Sequence, residues 1–152
     1  MNLSANTYAD ETNPYVWATI DEHDLAIFTR NLQDFVPPGS FDAYAHLWRV
    51  ADQGTPTPSL TAAVPPEVTR AVYNERVRRW MPERCPTGGL FFRFPTRALN
   101  VDSANGFLAA QLKIDPNSRG LMIVTPQHDA ASVECQVVDD GFVGFNSWTM
   151  GP

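Results

Sequence analysis

Apolar positions recur along this chain with two periods, and the two periods alternate. Leu25, Phe28, Leu32 and Phe35 stand three or four residues apart, the spacing that lines one side of an α-helix. Thr19, with Glu22 three residues later, reads as a capping box at the start of that helix. Pro37-Pro38 ends it, because proline lacks an amide and disfavours helix in the residue before it. The expectation is therefore an N-terminal helix over 19–36, serving as a lid or brace, after a loose leader over 1–18. Phe41-Asp42-Ala43-Tyr44-Ala45-His46-Leu47-Trp48 then alternates large and small side chains, as a core strand beside a tight turn does. Val50 to Pro66 is a long loop rich in proline and small polar residues. Pro66 suits a first helical turn, and Val68, Val72, Val77 and Trp80 make an apolar face to about Met81.

The second half repeats the rhythm. Leu90-Phe91-Phe92-Arg93-Phe94 is a short apolar run of the kind found in strands buried on both faces. Asp102 to Lys113 reads as a helix and Arg119 to Thr125 as the clearest strand. Asp129 caps a helix to about Val138, and Gly141 to Phe145 starts a last strand. Strands alternating with helices predict a parallel sheet with crossover helices. Periodicity alone fits two such sheets equally, the first half of a (β/α)₈ barrel and a small doubly wound sheet.

Composition narrows the function classes. The chain has 152 residues, enough for one real core but short of the roughly 250 of a closed barrel. Eleven Lys and Arg face seventeen Asp and Glu, and no dense basic patch occurs, so nucleic acid is not an expected partner. Arg76, Arg78 and Arg79 read as the solvated face of a helix. No run approaches about 18 apolar residues, so no membrane span is expected. The start of the chain lacks the basic and apolar parts of a signal peptide, which makes the cytoplasm the expected location. Cys85 and Cys135 form no paired motif and are expected as reduced thiols. Gly88-Gly89 reads as a turn, and no phosphate loop or Ser-His-Asp arrangement stands out.

The Phe41–Trp48 octet resembles the first barrel strand of the amidohydrolase superfamily, which reads hydrophobic-Asp-x-His-x-His. The likeness continues through Asp34-Phe35-Val36-Pro37, Gly89-Leu90 with Pro95, Ser118-Arg119 with Thr125-Pro126, and Gly141-Phe142-Val143-Gly144. It covers about Thr19 to Phe145 and is similar to the branch of decarboxylases and lactonases of small acids. The fold it implies is a partial TIM (β/α)₈ barrel: four parallel strands with crossover helices over 37–152, behind the N-terminal helix. The later strands, which carry the family's further His ligands and the Asp that activates a metal-bound water, have no counterpart here. The chain thus reads as the N-terminal half of a hydrolase, inactive alone.

In the family the two His of the first strand bind metal. His46 matches the second and is the expected ligand of a zinc-type divalent ion, while Tyr44 replaces the first. A phenol is a poor zinc ligand at neutral pH, so Tyr44 is the candidate to donate a hydrogen bond to substrate, as in the family's metal-free lactonases. Arg93 and Arg97 flank the end of the second strand, where a guanidinium can grip a carboxylate through two parallel bonds. Arg93 and His128 join Tyr44 as expected substrate contacts; Arg97 reads rather as a surface ion pair. Asp42 reads as a brace for neighbouring loops, His23 as solvent-exposed, and some relatives carry Lys where Asn146 stands. The implied substrate is a small carboxylate-bearing molecule. An alternative is a non-enzymatic member whose open sheet edge invites a homo-oligomer.

Overall fold

The computed structural model describes residues 20–54 and 65–147. Asp21 opens the first helix, α1 (Glu22–Asn31). Its carboxylate accepts the Asp24 N–H at 2.9 Å, and the Asp24 carboxylate accepts the Asp21 N–H at 3.2 Å. The capping box is therefore Asp21/Asp24 rather than Thr19/Glu22; Thr19 lies outside the described residues, as does the leader. α1 stops at Asn31, short of Pro37, and the apolar stripe shortens with it. Only Phe28 is buried, and Phe35 is 84% exposed. Phe28 meets Trp80 edge-on at 5.8 Å and packs with Val77 of a second helix, α2 (Arg70–Trp80), and with Met81 just past its end. α1 is thus a brace on the helical layer.

Strand β1 (Phe41–His46) ends earlier than the octet. Past Leu47 the chain turns into β2 (Trp48–Arg49), which pairs antiparallel with β3 (Glu67–Val68). Val68, expected on a helix, is a buried strand residue, because α2 starts only at Arg70, after the N-cap Thr69, whose side chain accepts the Val72 N–H. The long loop between β2 and β3 falls largely on 55–64, outside the described residues. The remaining elements follow the expected order. They are β4 (Gly88–Phe92), α3 (Val101–Lys113), β5 (Arg119–Val124), α4 (Ala130–Asp140) and β6 (Gly144–Ser147). Gly88-Gly89 is not a turn but the start of β4. A Cβ on Gly88 would come within 2.2 Å of the Asn117 carbonyl oxygen, so the close approach requires glycine. Gly141, expected to start the last strand, instead ends α4 in the left-handed conformation at φ 74°.

The main sheet has the order β1-β4-β5-β6, and every pair is parallel. Ala45, Phe91 and Met122 form a buried core with Phe107 and Leu108 of α3, and Tyr73 of α2 and Val133 and Val137 of α4 pack against it. Because successive strand residues alternate between faces, Tyr44, His46 and Phe92 fall on the other face. A register irregularity between Asp42 and Ala45 puts both on the helical side. There the Asp42 carboxylate accepts the Tyr73 hydroxyl and the Tyr44 N–H, tying β1 to α2. That contact and burial push the Tyr73 phenol well above its ordinary value, burial being the larger cause.

Beyond Phe91↔Gly120, β5 outruns β4. Asn105 of α3, fully buried, replaces the missing strand there. Its amide donates to the Ile123 carbonyl at 2.9 Å, and its carbonyl accepts the Ile123 N–H at 2.9 Å. No helix among the described residues is long and apolar enough to cross a membrane.

Candidate functional site

Three groups of side chains gather where the parallel strands end. The first surrounds His46, the last residue of β1. Its Nδ1 lies 3.0 Å from the Phe92 carbonyl oxygen. A carbonyl only accepts, so Nδ1 carries the proton and Nε2 keeps its lone pair in the neutral ring. Phe94 lies against the imidazole at 3.7 Å between centroids, and Tyr44 and Phe92 meet it edge-on at 5.2 and 4.6 Å. Burial lowers the His46 pKa; the Phe92 carbonyl works against that shift, and the nearby Arg93 adds to it. Tyr44 is 71% exposed, so its hydroxyl is open to a ligand.

The second group is buried beneath. Arg93 has no exposed surface. Its guanidinium donates to the Leu47 and Arg49 carbonyls at 3.5 and 3.2 Å and lies 3.8 Å from the Asp52 carboxylate. Asp52, also buried, accepts two bonds from Arg49, at 3.0 and 3.2 Å, and one from the Ser103 hydroxyl at 2.8 Å. Desolvation lowers the Arg93 pKa to about 10, with Asp52 opposing the shift. These bonds clamp β1's exit, β2 and the N-terminal end of α3 onto one another. The sequence carried no signal for Asp52, which sits in an unremarkable Val50-Ala51-Asp52 turn.

The third group lines an open cleft of about 900 Å³ outside the ends of β4 and β5. One wall is the loop before α3, where Leu99 N–H bonds the Thr96 carbonyl at 3.1 Å and Arg97 sits at the turn's tip. Gly54 backs this turn: its φ is 67°, and a Cβ there would meet the Ala98 carbonyl oxygen at 2.4 Å. The other wall is Thr125 to Asp129. The His128 N–H closes a turn on the Thr125 carbonyl at 3.1 Å, while His128 Nδ1 accepts the Thr125 N–H at 3.1 Å. That acceptor role puts the proton of the neutral ring on Nε2, which lies 3.8 Å from an Asp102 carboxylate oxygen.

The structure thus brings Tyr44 and His46 together and sets His128 in a cleft that neither of them lines. It encloses Arg93 and leaves Arg97 on the cleft. His23 is exposed on α1, and Asn146 lies in β6 opposite Ile123. Cys85 and Cys135 are free thiols. Compared with known proteins, the chain matches no family model, no curated protein and no solved structure.

Zinc-type chemistry needs three or four converging ligands. Among the described residues no three His, Cys, Asp or Glu side chains gather closely enough to hold a metal ion. His46 offers one nitrogen, already oriented by the Phe92 carbonyl as metal-binding imidazoles are. The described residues by themselves therefore do not fit a metal centre.

Proposed function

We propose that the chain forms the first four parallel strands, with their crossover helices, of an amidohydrolase-like (β/α)₈ enzyme that acts on a small carboxylate-bearing molecule. The observation that carries this reading is the position of His46 within a singly wound sheet. Each main strand lies beside its predecessor, in the order β1-β4-β5-β6, with all pairs parallel. A doubly wound sheet reverses its strand order at a switch point, and none occurs here among the described strands. In barrels of this kind chemistry sits at the C-terminal ends of the strands, and His46 ends the first strand with Nε2 left for a ligand. The reaction class is hydrolysis of a C–N, ester or lactone bond, or decarboxylation. A zinc-type ion belongs to this reading only if later strands complete its ligands around His46. In a metal-independent form the exposed Tyr44 hydroxyl beside His46 donates its hydrogen bond to the substrate instead.

The test is the native protein from its own source: its intact mass, its metal content, and its turnover of small lactones, amides and carboxylic acids. The expected result is a mass well above 16.9 kDa, turnover of one of these classes, and a loss of about 100-fold or more in His46→Ala. Circular dichroism confirms that the variant folds. A native mass of 16.9 kDa without turnover overturns the reading, and a stable dimer in that experiment would turn attention to the open edges of β1 and β6.

A further inference from the structure

We propose that the cleft outside β4 and β5 is a carboxylate-binding site in which Arg97, not Arg93, is the anchor, with Thr96 and His128 as supporting donors. The proposal rests on the reading above for the class of molecule, and on the cleft alone for where its carboxylate goes.

The hydrogen bonds of the cleft are unevenly completed. Several of its acceptors are occupied. The Asp129 carboxylate takes the Ser132 N–H and hydroxyl, the Asn100 side chain takes the Ser103 N–H, and His128 Nδ1 takes the Thr125 N–H. The open groups include three donors, beside the exposed Asp102 carboxylate. Arg97 makes no hydrogen bond or ion pair with the described residues. The Thr96 hydroxyl is buried without a partner. His128 Nε2 lies 3.8 Å from the Asp102 carboxylate, too far for a hydrogen bond. A cleft with unmade donors calls for an acceptor. A guanidinium fork matches the two oxygens of a carboxylate, and a hydroxyl and an imidazole N–H complete its lone pairs.

The cleft also limits the ligand. Asp102 and Asp129 contribute two negative charges to its walls, so a monoanion is tolerated better than a dianion such as phosphate. Leu99 and Ile123 supply an apolar wall for the body of the molecule. The volume, about 900 Å³, suits a small organic acid.

The experiment is an NMR titration of the amide-labelled protein with benzoate, with benzamide as an uncharged probe of the same shape. Benzoate is expected to shift the amides of residues 96–100 and 125–129 saturably, and benzamide to leave them in place. Arg97 is exposed on a turn, so its replacement leaves the fold intact. Arg97→Gln is expected to weaken benzoate about tenfold or more, and Arg97→Lys, which keeps the charge but loses the fork, to fall between. Equal binding of benzoate by wild type and Arg97→Gln overturns the proposal, as does an equal response to benzamide or no saturable shift. In His46→Ala the benzoate affinity is expected to be unchanged. If the native protein turns over none of its proposed substrates while Arg97-dependent binding persists, the enzyme reading falls and this site stands.

Discussion

Arg93 and Arg97 follow the same strand in the same short segment, and their surroundings differ completely. Arg93 is enclosed, bonded to two backbone carbonyls and set beside the buried Asp52. Arg97 stands on a turn at the rim of a cleft and makes no bond to the described residues. The one Arg93 donor left without a partner, Nε–H, is buried, so a ligand reaches it only by breaking the structure around it. An exposed one on a scaffolded loop costs little to hold and keeps its full set of donors. The difference teaches that placement, rather than residue type or nearness to a strand end, separates a clamp from a contact.

The largest test of that contrast removes the carboxylate beneath Arg93. Asp52→Ala leaves the enclosed Arg93 guanidinium without its carboxylate and beside the half-buried Arg49, and leaving a buried charge uncompensated costs about 3–5 kcal/mol. Urea unfolding should show that loss, whereas Arg97→Gln should stay within about 0.5 kcal/mol of wild type. A mild effect of Asp52→Ala would erase the distinction between the two regions.

A somewhat smaller effect is expected from Asn105→Ala, which strips both partners from the Ile123 backbone. Each lost hydrogen bond is worth about 0.5–1.5 kcal/mol, so the two together cost about 1–3 kcal/mol. Hydrogen exchange of the Ile123 amide should accelerate beyond what the global loss of stability explains. Unchanged protection there would mean that a neighbour replaces the carboxamide.

The smallest effect is a pH dependence centred on His46. Its pKa is lowered from 6.5 in the folded chain, chiefly by burial. The folded protein therefore binds the proton less readily than the unfolded one. The stability attached to the neutral ring is complete above about pH 6.5 and is lost as pH falls towards the folded pKa. Comparing urea midpoints of wild type and His46→Phe across that window checks the sign. A wild type that gains stability relative to the variant as pH drops would mean the ring is held protonated.

Much of the architecture is legible in the sequence. The Arg119–Val124 strand is so continuously apolar, and the helices on either side so clearly periodic, that α3, β5 and α4 fall within a residue or two of expectation. Asp129 as the cap of α4 was readable because capping is local chemistry between a side chain and an amide three residues on. Where expectation failed, a competing local signal or a distant contact was responsible. Thr19/Glu22 and Asp21/Asp24 are both plausible boxes, and only the geometry chooses. The two-residue ribbon of β2 and β3 is too short to leave a period in the sequence.

The site divides the same way. From the sequence alone came an α/β chain with strands and helices in alternation, a His at the end of the first long strand, and a second His after the third. Residues close in the chain can settle those points, because hydrophobic period, capping and proline breaks act over a few positions. Only the tertiary structure decided that Arg93 is a clamp, that Asp52 is its partner, that Asn105 stands in for a strand and that Arg97 faces the cleft. Each of these depends on burial and on partners brought from distant parts of the chain. For a charged or polar side chain, the cost of losing water, and whether something nearby offsets it, is set by the folded surroundings and not by its neighbours in sequence.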